Sequence, residues 1–305
     1  MKTRLGSITI NDSHCHFFTH SVFKMIGSQK FKAGDPVKSA ADFLGWDAPP
    51  HSPIDLARRW ADELDHHGVQ RVSLIASVPK DEDSVAEAVK HFPDRFVGFF
   101  MLDPTQPDAV ERAQRALGEL KLRVVCFYPA MHHYSLRDDR VKAVLDVVAE
   151  APGRGVFVHC GVLTVGIRKK LDLPSPFDLK LGNPLDLATI APAYPKTNFI
   201  LPHLGAGMLR EALMLAEVCS NVHLDTSSSN SWVRYLGIPL REALNRALSV
   251  VGPERLLFGT DSSFFPRGWN KKVFDEQLAI FERLKVKRAD VKAILGGNFE
   301  RLFPA

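Results

Sequence analysis

The chain has 305 residues, of which 45% are hydrophobic and 24% charged, with a formal net charge of +4 and an isoelectric point near 8.8. That length fits one large barrel or two ordinary domains, and the composition is that of a globular protein rather than a disordered or fibrous one. Lysines and arginines are interspersed with acids, which argues against a nucleic-acid partner, and no apolar run approaches the roughly 20 residues of a membrane span.

The N-terminus leads into a first strand without the apolar stretch and small-residue cleavage site of a signal peptide, so the cytoplasm is the expected location. That strand, in Ile8–His16, carries His14 and His16 two residues apart, and strand geometry sends such residues to one face. A pair of imidazoles aimed at one spot suits a divalent transition metal; the alternative is a polar strand end meeting solvent. Cys15, between them, turns to the opposite face and reads as packing. With Cys126, Cys160 and Cys219 it forms neither a zinc knuckle nor a disulfide framework.

Seven further strands are predicted at Arg71–Ser77, Phe96–Leu102, Arg123–Pro129, Gly155–Gly161, Thr197–Gly205, Asn221–Ser227 and Arg255–Ser262. Helical periodicity fills the gaps at Ile54–His67, Glu82–His91, Asp108–Leu120, Asp138–Glu150, Pro184–Ala193, Met208–Cys219, Pro239–Val251 and Lys272–Leu284, several ending at Gly or Pro. Eight strands alternating with eight helices predict a (β/α)8 TIM barrel formed by residues 1–305 as a single domain. Arg288–Phe303 reads as an extra C-terminal helix that caps the barrel or makes an oligomer contact. The connections after the first and fifth strands, Phe17–Pro53 and Val162–Asn183, are much longer than usual and are candidate lids, the first rich in aromatic residues.

Metal-capable residues recur at strand C-termini: His14 and His16 on the first strand, His159 on the fifth, His203 on the sixth and Asp261 on the eighth. In a barrel these ends share one mouth. The segments Asp12-Ser13-His14-Cys15-His16, Val158-His159-Cys160-Gly161, Pro202-His203-Leu204-Gly205-Ala206-Gly207, Phe258-Gly259-Thr260-Asp261 and the tail Ile294–Phe303 resemble, in this order, the amidohydrolase superfamily, within it the branch that includes aminocarboxymuconate semialdehyde decarboxylase. The resemblance covers essentially the whole chain.

It implies that His14, His16, His159 and Asp261 bind one divalent metal, Zn2+ with Mn2+ as the other candidate, leaving a position for water. It also implies that His203 transfers protons beside the metal, a fifth ligand or an orienting neighbour of the ligands being the alternative, and that Asp261 shares in catalysis. Val124–Pro129 lacks the lysine or glutamate that generally bridges a second metal in two-metal members, which favours a single one. No glutamate precedes Asp103 on the third strand, which weakens the likeness to TatD-like nucleases. Arg267 and Trp269 follow the last strand closely enough to pair with a substrate carboxylate and stack on its ring; a surface arginine and a packing tryptophan are the alternative. His132-His133-Tyr134 reads as a solvated loop, Tyr128 as core, Ser227-Ser228-Ser229 as hydrogen-bond donors at the mouth or loop satisfiers, and Asp225 as a residue that stabilises the seventh strand or orients neighbours.

The expected activity is hydrolysis of an amide, ester, lactone or related bond of a small substrate, with aromatic and anionic compounds as candidates. Non-oxidative decarboxylation of an aromatic or unsaturated acid is the alternative, and a homo-oligomer, a dimer, is the expected assembly.

Overall fold

Strands that are apolar on successive residues have no face to offer to water, and they are stable only when both faces are covered. In the computed structural model, which describes residues 1–4 and 6–304, this is how they are used. The barrel strands are β1 (Asn11–Phe17), β2 (Arg71–Ala76), β3 (Phe96–Met101), β4 (Val124–Phe127), β5 (Gly155–Val158), β6 (Asn198–Leu201), β7 (Val222–Asp225) and β8 (Leu256–Leu257). Among the described residues these eight form one parallel sheet in chain order. A short antiparallel ribbon, Lys2–Thr3 with Gly6–Ser7, precedes them.

Closure is made by irregular backbone rather than by a full strand pair. Ser13 N–H donates to the Phe258 carbonyl (2.8 Å), Asp261 N–H to that of His14 (2.9 Å), and His16 N–H to that of Ser262 (2.7 Å). A register shift between Asp12 and Cys15 lets β1 pair with β2 on one side and meet this seam on the other. The predicted eighth strand is therefore shorter than expected, because its second half leaves the regular ladder to carry Asp261 at φ 57°.

Long helices wrap the outside: α3 (Pro53–His67), α4 (Glu82–His91), α5 (Ala109–Gly118), α6 (Asp139–Ala149), α8 (Leu209–Val218), α9 (Leu240–Val251) and α10 (Lys271–Arg283). The predicted helix at Pro184–Ala193 is instead two 3-10 turns, Pro184–Ala188 and Ala191–Ala193. Pro192 removes a donor that a continuous α-helix would need, whereas Pro184 stands at the first position, where none is required. The connection 17–53, expected as a long loop, holds two helices, α1 (His20–Lys30) and α2 (Pro36–Leu44). Thr19 starts α1 by accepting from Val22 N–H (3.3 Å) and ties it to the barrel by donating to Asp81 Oδ2 (2.6 Å). In the other long connection, α7 (Gly166–Lys170) is a single short helix.

The barrel interior is filled by Ile75, Phe99, Cys126, Phe157, Ile200 and Leu257 among others, and Phe299 and Phe303 of the C-terminal segment close it from below. That segment is helical as predicted, but with a π-turn at Ala293–Gly297 between Arg288–Lys292 and Asn298–Leu302. Asn298 Nδ2 donates to the carbonyls of Pro253 and Leu256, which fixes this cap to the start of β8. With the interior closed from below, its access is through the upper mouth.

Candidate metal centre

The closing seam brings β1 and the end of β8 together, and with them three metal-capable side chains. His14 Nε2 lies 3.4 Å from His16 Nε2 and 3.6 Å from Asp261 Oδ1, and His16 Nε2 lies 3.3 Å from Asp261 Oδ1. Donors held at about 2.1 Å from one cation at tetrahedral angles stand about 3.4 Å apart, so this triangle fits a divalent ion. It is the group of three donors, among the described residues, close enough to hold one metal.

The outer ring nitrogens settle which tautomers face the triangle. His14 Nδ1 lies 2.7 Å from Asp225 Oδ2, an acceptor, so Nδ1 carries the proton and Nε2 presents its lone pair. Ser77 Oγ donates to the Ile75 carbonyl (2.9 Å) and accepts from His16 Nδ1 (2.8 Å), with the same outcome for His16. Carboxylate and hydroxyl partners of this kind orient ligand imidazoles and raise their basicity. Asp225, expected to steady β7 or orient neighbours, does the second for His14. Cys15 is fully buried on the helix side of β1, away from the triangle.

Asp12 governs the seam itself. It accepts from His14 N–H (2.9 Å), Thr260 N–H (3.1 Å), the Thr260 hydroxyl and the Trp269 indole (2.8 Å). Burial nevertheless raises its carboxyl to about 6, against the lowering effect of those bonds. Trp269 takes the packing alternative. Its ring is buried at 2% exposure against Phe258 and Phe274, and does not line the mouth, because its indole N–H is committed to Asp12.

His203 stacks on His14 with ring centroids 4.7 Å apart. Its Nδ1 lies 3.0 Å from the Ser227 carbonyl and 2.7 Å from Ser227 Oγ; the carbonyl can only accept, so Nδ1 is protonated and Nε2 is the basic atom. Burial, reinforced by His14, lowers this imidazole to about 4, which keeps it neutral near pH 7. Its backbone sits at φ 95°, a conformation that L side chains rarely adopt and that costs about 1–3 kcal/mol.

His159 stands beside His203 (5.1 Å between centroids) and is stacked on Tyr128 at 5.6 Å, outside the tight triangle. Its Nδ1 is buried with no hydrogen-bond partner, as a nitrogen meant for a ligand would be. Burial and the neighbouring His203 and His14 hold it well below the usual imidazole range. Burial acts upward on Asp261, but its contact with His16 and the closeness of His14 and His203 act downward and prevail, holding it well below the usual carboxylate range.

A cavity of about 330 Å³ opens above these residues. Its walls are largely apolar, with Phe18 and Trp46 from the first long connection, Leu163 and Ile167 from the second, and Tyr128, which is buried in the core as expected and also lines this cavity. Arg267 lines the mouth: Nη2 donates to the Asp261 carbonyl (3.0 Å) and Ser263 Oγ (3.1 Å), and the guanidinium lies 4.5 Å over Phe264. Lys170, unremarked in the sequence, adds a second cation. Ser227 is held among His14, His203 and Asp225, Ser228 faces the cavity, and the Ser229 side chain lies outside the described residues. Of the His132-His133-Tyr134 run, His133 reaches the Pro176 carbonyl (2.6 Å) and Tyr134 is buried, so this is a structured turn rather than a solvated loop.

The family model described as amidohydrolase (Amidohydro_2) matches residues 12–305. The protein fluG of Emericella nidulans is 28% identical over 173 residues, which span 54% of this chain and 18% of that much longer protein. Among solved structures, 5-carboxyvanillate decarboxylase LigW2 of Novosphingobium aromaticivorans, with bound manganese and a nitrobenzoic acid, superposes with a TM-score of 0.66 at 14% identity over 98% of each chain. A zinc-bound amidohydrolase of Burkholderia multivorans gives 0.61 at 17% identity over 96% of this chain and 98% of its own. At such identities the likeness is one of fold.

Proposed function

The chain belongs to the amidohydrolase family, and from that premise we propose that it is a metal-dependent hydrolase that cleaves an amide, ester, lactone or related bond of a small anionic substrate. The observation that carries this reading is His203, a buried, neutral imidazole with its basic Nε2 free and its ring stacked on the donor triangle. His14, His16 and Asp261 would hold the cation, with His159 completing the set; both zinc and manganese are bound by proteins of this fold. When bound, such a cation supplies Lewis acidity, which makes water acidic near neutral pH and polarises a substrate oxygen.

The chain's own residues do the rest. His203 Nε2 takes the proton from the attacking water and returns it to the leaving group, while Nδ1 stays anchored on Ser227. Arg267, pinned by Asp261 and Ser263, presents its remaining donors to a substrate carboxylate. The apolar wall from the two long connections excludes bulk water and strengthens each of these interactions.

The second reading, decarboxylation of an aromatic or unsaturated acid, is favoured by one feature: a single pinned guanidinium facing an apolar cavity suits a carboxylate that is destabilised once desolvated. Incubating Zn- or Mn-loaded protein with a panel of amides, esters and lactones and a panel of aromatic acids, with CO2 followed throughout, separates them. Water-addition products without CO2 are expected; CO2 release from the acids without hydrolysis of the first panel would overturn hydrolysis in favour of the second reading.

A further inference from the structure

The opposite end of the barrel holds a second cavity, of about 450 Å³, lined by Arg71, Lys121, Arg123 and Arg154. These four residues sit at the N-terminal ends of β2, β4 and β5, below the packed interior and remote from the metal-capable triangle. Its other walls are apolar, including Phe96, Leu117 and Phe303.

Arg71 is only 6% exposed; Nη1 donates to the Phe303 carbonyl (2.6 Å), but its buried Nε has no partner. Among the described residues the Arg123 guanidinium and the Lys121 ammonium make no hydrogen bond or ion pair. Arg154 is held by the Val147 carbonyl (2.9 Å) and lies 3.7 Å from Glu150, while Glu300 and Asp94 act on Arg71 from further away. Acids therefore offset part of the charge and none is paired with Lys121 or Arg123. Burial also weakens the hold of Arg71 on its proton, with Arg123 adding to the effect. Lys121 is exposed, so the cost falls on Arg71 and the half-buried Arg123: burying a cation without an anionic partner is costly, and an anionic ligand would supply the missing charge.

We propose that this lower cavity is a binding site for a small organic oxyanion, a carboxylate or phosphate carried on an apolar body. The guanidiniums of Arg71 and Arg123 take the oxyanion in charge-assisted hydrogen bonds, and the phenyl and leucyl walls cover the body. The site is independent of the activity at the mouth.

Isothermal titration calorimetry with benzene-1,3-dicarboxylate and with inorganic phosphate tests it, using the wild type and Arg267→Ala so that anions bound at the mouth are separated from those bound below. One site is expected to persist in Arg267→Ala, to weaken at least tenfold in Arg123→Gln and in Lys121→Gln, and to weaken with added salt. Arg123→Gln and Lys121→Gln remove no described bond; thermal melts of the ligand-free variants, matching the wild type, verify the fold. Absence of heat at millimolar anion in Arg267→Ala, or an isotherm unchanged by both substitutions in the lower cavity, would overturn the proposal.

Discussion

At His203 and Asp261 the backbone takes φ values of 95° and 57°, so two residues proposed to work at the metal sit where side chains other than glycine are strained. The strain is offset by bonds that fix each residue: Ser227 for His203, the His14 carbonyl and Arg267 for Asp261. Their substitutions should separate cleanly. Asp261→Ala is expected to lose most bound metal by mass spectrometry, whereas His203→Asn should keep the metal and lower kcat by about 10²–10⁴-fold, the usual weight of a proton-transfer group. Trp269 gives a contrasting case. Because its indole serves Asp12 rather than the cavity, Trp269→Phe should cost about 1–3 kcal/mol in a denaturant melt by leaving a buried carboxylate short of a donor, and should leave KM unchanged. A raised KM with unchanged stability would restore the substrate-stacking role.

At the scale of elements, the site depends on how closely β1, β7 and the end of β8 approach. A Cβ on Gly259 would stand 2.6 Å from Asp225 Oδ1, 2.8 Å from Ser227 Cβ and 2.9 Å from His14 Cβ. The position has no room for any side chain, and the atoms it would displace are those that orient His14. Gly259→Ala is therefore expected to weaken metal affinity about 10–100-fold, the usual effect of losing an orienting partner, together with a lowered Tm. Metal titration by calorimetry checks it, and an unchanged affinity would show that His14 does not need Asp225. The two long connections are joined to this seam above the cavity: Trp46 at the end of α2 stacks on Phe264 at 3.6 Å between centroids, and Lys170 of α7 lies 5.9 Å over the same indole.

For the molecule as a whole, the packed barrel sets the response to acid. His223 on β7 is buried, with Nε2 3.1 Å from Asn198 Oδ1 and Nδ1 unpartnered; burial, then Arg301 and Arg255, lowers it to about 4. The unfolded chain takes up this proton near pH 6.5 and the folded one only near 4, so the stabilisation is complete above 6.5 and is lost as pH falls between those values. Its size is on the order of 3 kcal/mol from the shift alone. His223→Gln should flatten the slope of stability against pH between 6.5 and 4 in urea melts, and an unaltered slope would show that other groups carry it.

The eight-strand count, the alternation with helices and the positions of His14, His16, His159, His203 and Asp261 at strand ends are all present in the sequence, because hydrophobic period and strand alternation are local properties. Locality also explains part of what was misplaced. The truncated β8 follows from packing at the closing seam, which no window of neighbouring residues contains, whereas the 3-10 turns at Pro184–Ala193 trace to Pro192 and the helices inside the 17–53 connection to the side-chain caps of Thr19 and Asp35, which are local signals. Trp269 follows the same rule as β8: only the fold decides that its indole meets Asp12 rather than the cavity, while Tyr128 is buried in the core as expected and also reaches the cavity wall. The sequence by itself determined the architecture and the kinds of ligand available to a metal. The tertiary structure alone decided that three of those ligands converge at the closing seam, which tautomers they present and that arginines gather at the far end, since these depend on distances between residues as many as 250 positions apart.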